Sequence, residues 1–135
     1  MTHHILQPPG WPRPKGYANG IAATMAPQGR LVFTAGVVGW DATETFPDGL
    51  TAQCAQAFHN IRAILAEAGA APEHMVRMTW YVTSRQAYLE EARAIGAAWR
   101  EIFGKVFPAM AVVEVTALME AKAMVEIEAT AVVPD

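Results

Sequence analysis

The residues able to do chemistry are few, and they gather near the two ends of the chain. Glu126 and Glu128 stand two positions apart, interleaved with Val125, Ile127 and Ala129. Side chains alternate between faces along a strand, so both glutamates share one face and the three apolar residues the other. If that face is sealed, a carboxylate on it loses solvation, becomes more basic and can hold a proton or activate a water. On a wet face the same pair is only solvated charge. Glu114 alternates with Val113 and Val115 and stands either at the same interface or on the surface. Tyr17 follows Gly16 just before the first apolar run, where a phenol either shapes a cleft or simply packs. Trp40, after Gly36-Val37-Val38-Gly39, lines a pocket or anchors a loop.

Other chemistries find little support. Cys54, the single cysteine, falls on an apolar helical stripe and reads as a small hydrophobe. It cannot form an internal disulfide or a cysteine-based zinc site. His3, His4, His59 and His74 show no metal-ligand spacing, so no metal is expected. Gly36 and Gly39 match neither a dinucleotide fingerprint nor a phosphate loop, so no cofactor is expected. A net charge of −3 argues against nucleic-acid binding by phosphate neutralisation. No run of about 18 apolar residues is present, so no membrane span is expected. The N-terminus lacks the charged start and apolar middle of a secretory signal, and the expected location is the cytoplasm.

The elements that must position these residues follow from periodicity. Residues 1–15 contain Pro8, Pro9, Pro12 and Pro14 and read as an extended arm or loop ahead of a single domain spanning 1–135. Ile21 to Met25 and Leu31 to Val38 read as two strands joined as a hairpin through Ala26–Arg30. Leu50, Cys54, Ala57, Phe58, Ile61, Ile64, Leu65 and Ala68 follow helical spacing and stop at Gly69, with Gln53, Gln56, Asn60 and Arg62 off the stripe. Val76 to Thr83 alternates as a strand. Ser84 caps a second helix, with Tyr88, Ala92, Ile95, Trp99, Ile102 and Phe103 inside, ending at Gly104. Ala109 to Leu118 and Met124 to Val133 complete the set as strands.

Five strands and two helices in the order β-β-α-β-α-β-β predict an α+β layer, with both helices on one face of a mostly antiparallel sheet. Charged residues make up 17% of the chain, below the usual ~25%. A surface so poor in charge is expected to be covered by copies of itself, as a homo-oligomer.

These pieces, taken in order, resemble the Rid/YjgF family, the reactive intermediate deaminases also labelled L-PSP endoribonuclease-like. The resemblance runs from Gly16 to Val133. It is carried by Gly16-Tyr17-Ala18-Asn19-Gly20, Val32-Phe33-Thr34-Ala35-Gly36, Gln53 through Asn60, Ala68-Gly69, Phe107-Pro108-Ala109, Val113-Glu114-Val115 and Val125-Glu126-Ile127-Glu128-Ala129. It implies a bacterial chorismate-mutase-like subunit with a five- to six-stranded sheet, assembled as a homotrimer with clefts between subunits. It also implies cofactor-free hydrolysis of small enamines or imines to 2-keto acids and ammonia. In that family a tyrosine shapes the site, a last-strand glutamate positions the water and an arginine after Pro-Ala grips the substrate carboxylate. The tyrosine falls on Tyr17 and the glutamate on Glu126.

The arginine position is Met110, which offers no charge-assisted hydrogen bond to a carboxylate. A serine of deaminating members is Ala35 here, a glutamine is Val37, and a helix-two asparagine aligns with Gly96. The cleft should therefore be more apolar than that of an amino-acid imine deaminase. Glu126 and Tyr17 are the expected catalytic residues, and Met110, Ala35, Trp40 and Glu114 the expected substrate contacts. Arg30, Arg77 and Lys105 are the cations that could stand in for the missing arginine. The alternative to a hydrolase is a non-catalytic trimeric small-molecule binder or regulatory protein; a ribonuclease is the weakest reading.

Overall fold

A computed structural model of the chain describes residues 3–134. Its main sheet has five strands: β3 (Arg30–Phe33), β4 (Val37–Val38), β5 (Met75–Val82), β6 (Ala109–Glu114) and β7 (Val125–Val133). The nine-residue β7 organises it, pairing antiparallel with β3 and β4 on one side and β5 on the other. β6 joins the far side of β5 in parallel. Residues buried along β7 are Val125, Ile127, Ala129, Ala131, Val132 and Val133, whereas Glu126 and Thr130 are half-buried and Glu128 is exposed. The alternation read from the sequence over Val125 to Ala129 is borne out.

All three helices, α1 (Leu50–Glu67), α2 (Arg85–Glu90) and α3 (Ala92–Phe103), contribute to one α+β unit. The core lies between them and the apolar face of the sheet. Phe58 of α1 is its centre, within 5.4 Å (ring centroids) of Trp80, Trp99 and Phe103. Gly39 permits the close approach of α1 to the sheet: a Cβ there would run into the Gln53 backbone.

Three expectations are corrected. The hairpin between residues 21–25 and 31–38 does not form. Instead β2 (Ile21–Ala23) pairs with β1 (His3–Ile5) from the arm, and β3 pairs with Thr130–Val133. The turn read between them exists, with Gly29 N–H donating to Ala26 O at 2.8 Å, but its arms diverge to different partners. The arm can supply one because its prolines turn it back, with Trp11 N–H on Pro8 O.

The second helix is broken at Glu91. There the carboxylate accepts from both Thr51 N–H, at 3.1 Å, and Thr51 Oγ1, at 2.6 Å. It thereby places negative charge at the N-terminus of α1, where Gly49 brings no capping side chain. On α1, Gln53 is buried and Ile64 exposed, the reverse of the polarity pattern. Gln53 is tolerated inside because its amide is fully employed: Nε2 donates to Pro47 O and Lys122 O, and Oε1 accepts from Met124 N–H. Among the described residues no helix is long and apolar enough to cross a membrane.

Candidate functional site

Sheet register decides which of the expected residues can meet. Met110 sits beside Met78, a core residue, so it faces the helices. Glu126 sits beside Tyr81, three residues further along the same strand and so on the other face. Within one chain Met110 and Glu126 are therefore on opposite sides of the sheet. The expected site residues thus divide into two halves, one on each side of the sheet.

The first half is a cavity of about 440 Å³ between β6 and the helices, lined by Lys15, Gly16, Tyr17, Trp80, Tyr88, Ala92, Ile95, Gly96, Trp99, Arg100, Phe107, Met110 and Val112. Tyr17 reaches it because residue 18 bridges to Ala109 at the start of β6, with Ala18 N–H on Pro108 O at 3.1 Å. Tyr17, Met110 and Gly96 thus come together in one cavity. The walls are aromatic: the Trp80 and Trp99 rings stack at 6.1 Å, and Tyr88 meets Trp80 edge-on at 6.0 Å. Trp99 Nε1 is satisfied by Val106 O, whereas Trp80 Nε1 is buried without a partner among the described residues.

The second half lies on the open face. Residues 34–36 of the bulge between β3 and β4 oppose only residues 128 and 129 of β7. That extra residue brings Gly36 against the Glu126 side chain, with Ala35 exposed beside it. The bulge is pinned by Thr34, whose N–H donates to Ala129 O and whose Oγ1 accepts from Ala129 N–H, each at 2.9 Å. A Cβ on Gly36 would occupy the space of the Glu126 carboxylate. Glu128 accepts the Tyr81 hydroxyl at 2.7 Å, and this hydrogen bond to a carboxylate raises the phenol above its ordinary pKa. Glu128 also borders a shallow concavity of about 230 Å³ with Phe33, Arg77 and Thr130.

The remaining expected residues have local partners. Glu114 Oε1 accepts from Arg85 N–H at 2.7 Å, at the N-terminus of α2. Trp40 packs on Phe46 at 5.5 Å, and its carbonyl accepts from Asn60 Nδ2. The neighbouring Asp41 carboxyl is held below its usual pKa by the Thr43 hydroxyl and by the backbone N–H groups of Thr45 and Thr43. Cys54 is sealed in the core, and burial pushes its thiol up to about 12, which removes it as a nucleophile.

Of the cations considered, Arg30 is committed to Ala68 O at 2.7 Å, Arg77 lies on the open face, and Lys105 lies outside both concavities. Lys15 and Arg100 line the cavity instead. Periodicity missed Arg100 because it is off the buried stripe of α3. It places Tyr88 and Trp99 on a buried helical stripe and does not single out Trp80. Each does pack in the core, while one edge forms the cavity wall.

Known proteins share this chain's pattern. The family model described as Endoribonuclease L-PSP matches residues 14–133. A Yersinia pestis protein of unknown function from the Rid family, YyfB, is 29% identical over 97% of this chain and 98% of its own, with a TM-score of 0.81. A Mycobacterium tuberculosis member of the YjgF/YER057c/UK114 family is 34% identical over 87% of this chain and 86% of its own, at a TM-score of 0.62. Escherichia coli TdcF, solved with bound serine, is 25% identical over 96% of this chain and 98% of its own, at a TM-score of 0.67. None of the curated proteins searched matches the chain.

Proposed function

The chain belongs to the endoribonuclease L-PSP family, the YjgF/Rid proteins, and from that premise we propose that it hydrolyses the C=N bond of an imine or enamine in a cleft completed by a second copy of itself. One copy contributes Tyr17 and Met110, and its neighbour contributes Glu126 and Ala35, in a homotrimer. The observation that carries this reading is the situation of Glu126. It is half-buried beside Gly36, and no hydrogen bond engages its carboxylate among the described residues. Its neighbour Glu128, by contrast, is tied to Tyr81.

Exposed Leu31, Phe33 and Val113 share the open face with Glu126, so covering that face with another copy would bury them and desolvate the carboxylate. A carboxylate so placed accepts a proton from a water as the water oxygen attacks the imine carbon. That proton passes to the nitrogen to give a carbinolamine; the hydroxyl proton of the adduct then follows to the nitrogen through the same carboxylate, the C–N bond breaks, and a carbonyl compound and ammonia leave. Tyr17 orients the substrate, and Met110 shapes the apolar wall.

The test is ammonia release from freshly generated 2-iminopropionate. Turnover by the unaltered protein, falling at least 100-fold in Glu126→Ala with assembly retained, is the expected result. Turnover equal in the two proteins would remove Glu126 from the mechanism. Met110 supports a second reading, a small-molecule binder, because it replaces the carboxylate grip of deaminating relatives. Silence in the unaltered protein, with activity appearing in Met110→Arg, would show a sound cleft built for a different ligand. Salt-sensitive RNA binding would favour the ribonuclease that the family description names, against the net charge of −3.

A further inference from the structure

Met110 leaves the cavity without the strand arginine of deaminating relatives, yet a guanidinium stands in the same cavity on another element. Arg100 of α3 lines it together with Met110 and Tyr17. Arg30 and Arg62 spend their guanidinium groups on the carbonyls of Ala68 and Ile102, whereas no hydrogen bond or ion pair engages that of Arg100 among the described residues. Its position follows from helix spacing. Ala92, Gly96 and Arg100 recur every fourth residue, so they share one face of α3.

The first two carry the smallest side chains and leave that face recessed. A Cβ on Gly96 would lie 3.9 Å from Arg100 Nη1 and meet nothing nearer, so the guanidinium lies back along the helix over the recess. Glycine inside a helix is less stable than alanine, and the room it leaves opens onto the cavity wall.

Beyond Arg100 the walls are flat and apolar. Trp80 and Trp99 stack with 24° between their planes, and Tyr88 and Val112 close the sides. At about 440 Å³ the cavity is in the range that holds ligands of many atoms. A three-carbon imino acid would leave most of it empty. The buried Trp80 Nε1, in a residue that lines the cavity, is an unsatisfied donor.

We propose that Arg100 is the anion anchor of this site and that its ligands are 2-imino acids bearing an aromatic side chain, together with the matching 2-oxo acid products. The carboxylate pairs with Arg100, supported by the Lys15 ammonium at the rim. The ring lies among Tyr88, Trp80 and Trp99. The inference rests on the hydrolase reading for the chemistry, but binding alone tests it.

Phenylpyruvate serves as the product-like probe, titrated against tryptophan fluorescence and checked by calorimetry. The expected result is saturable binding, at least tenfold tighter than that of pyruvate. Arg100→Gln, an exposed substitution, weakens phenylpyruvate by about tenfold or more. Arg100→Lys recovers part of the loss, and the uncharged analogue phenylacetone binds equally to all three proteins. Equal phenylpyruvate affinity in Arg100→Gln, or no preference over pyruvate, overturns the proposal. Ammonia release that needs Glu126 but ignores Arg100→Gln also overturns the anchor while keeping the hydrolase. Arg100-dependent binding without turnover keeps the anchor and removes the hydrolase.

Discussion

Glu126 and Glu128 are two steps apart on one strand, and their neighbours give them different work. Gly36 leaves room for the Glu126 carboxylate, and a Cβ there would displace only the end of a flexible side chain. Gly36→Ala should therefore leave the melting temperature nearly unchanged while lowering ammonia release about tenfold or more; full activity would show that the position of Glu126 is immaterial. Glu128 instead holds the Tyr81 hydroxyl, and the phenol titrates above its ordinary value of 10.0. The folded state thus keeps this proton to higher pH than the unfolded state. Stability from the contact is whole below pH 10 and is lost as pH rises through the folded pKa. The phenolate absorbance that Tyr81→Phe removes should have its midpoint above 10 and move back towards 10 in Glu128→Ala. An unmoved midpoint would separate the two groups.

At the scale of elements, polar side chains hold helices to strands where the apolar pattern alone would not. Gln53 ties α1 to the approach of β7 through three hydrogen bonds, two of them to Lys122 O and Met124 N–H. Gln53→Leu keeps the size but leaves those buried groups unpaired, at a cost of about 2–3 kcal/mol. Denaturant unfolding should show this as a lower midpoint with an unchanged slope. Glu91 makes the corresponding tie between α3 and α1, at the expense of a helix break. Periodicity places Gln53 merely off the apolar stripe and marks nothing at Glu91, because the partners of a polar side chain lie far along the chain. Gln53 and Met124, for instance, are 71 residues apart. The hairpin failed for the same reason: a turn signal is local, whereas β3 is placed by pairing with the last strand.

For the whole molecule, the open face of the sheet is the feature to explain. Phe33 is 68% exposed and Leu31 54%, on the face that carries Glu126. Three copies closing over these faces would cover the apolar side chains and bring Glu126 of one copy to Met110 of another. Light scattering should give a mass near three subunits, and Phe33→Asp should shift it towards one with the far-ultraviolet circular dichroism retained. A single-subunit mass for the unaltered protein would overturn the shared cleft and leave the Arg100 cavity to be judged on binding alone.

Local periodicity by itself determined the main strands, the helical stripes, the alternation along β7 and hence the common face of Glu126 and Glu128. It did so because a repeat of two or of 3.6 residues assigns faces without reference to anything distant. The ordered run of family-like residues singled out Tyr17, Met110 and Glu126 as candidates. Only the tertiary structure decided that Met110 and Glu126 lie on opposite sides of the sheet, since that depends on the register of β5 against β6 and β7. It alone turned core aromatics into a cavity wall and aimed Arg100 at it. A side chain off the buried stripe shows its use only when the neighbouring elements have been packed beside it.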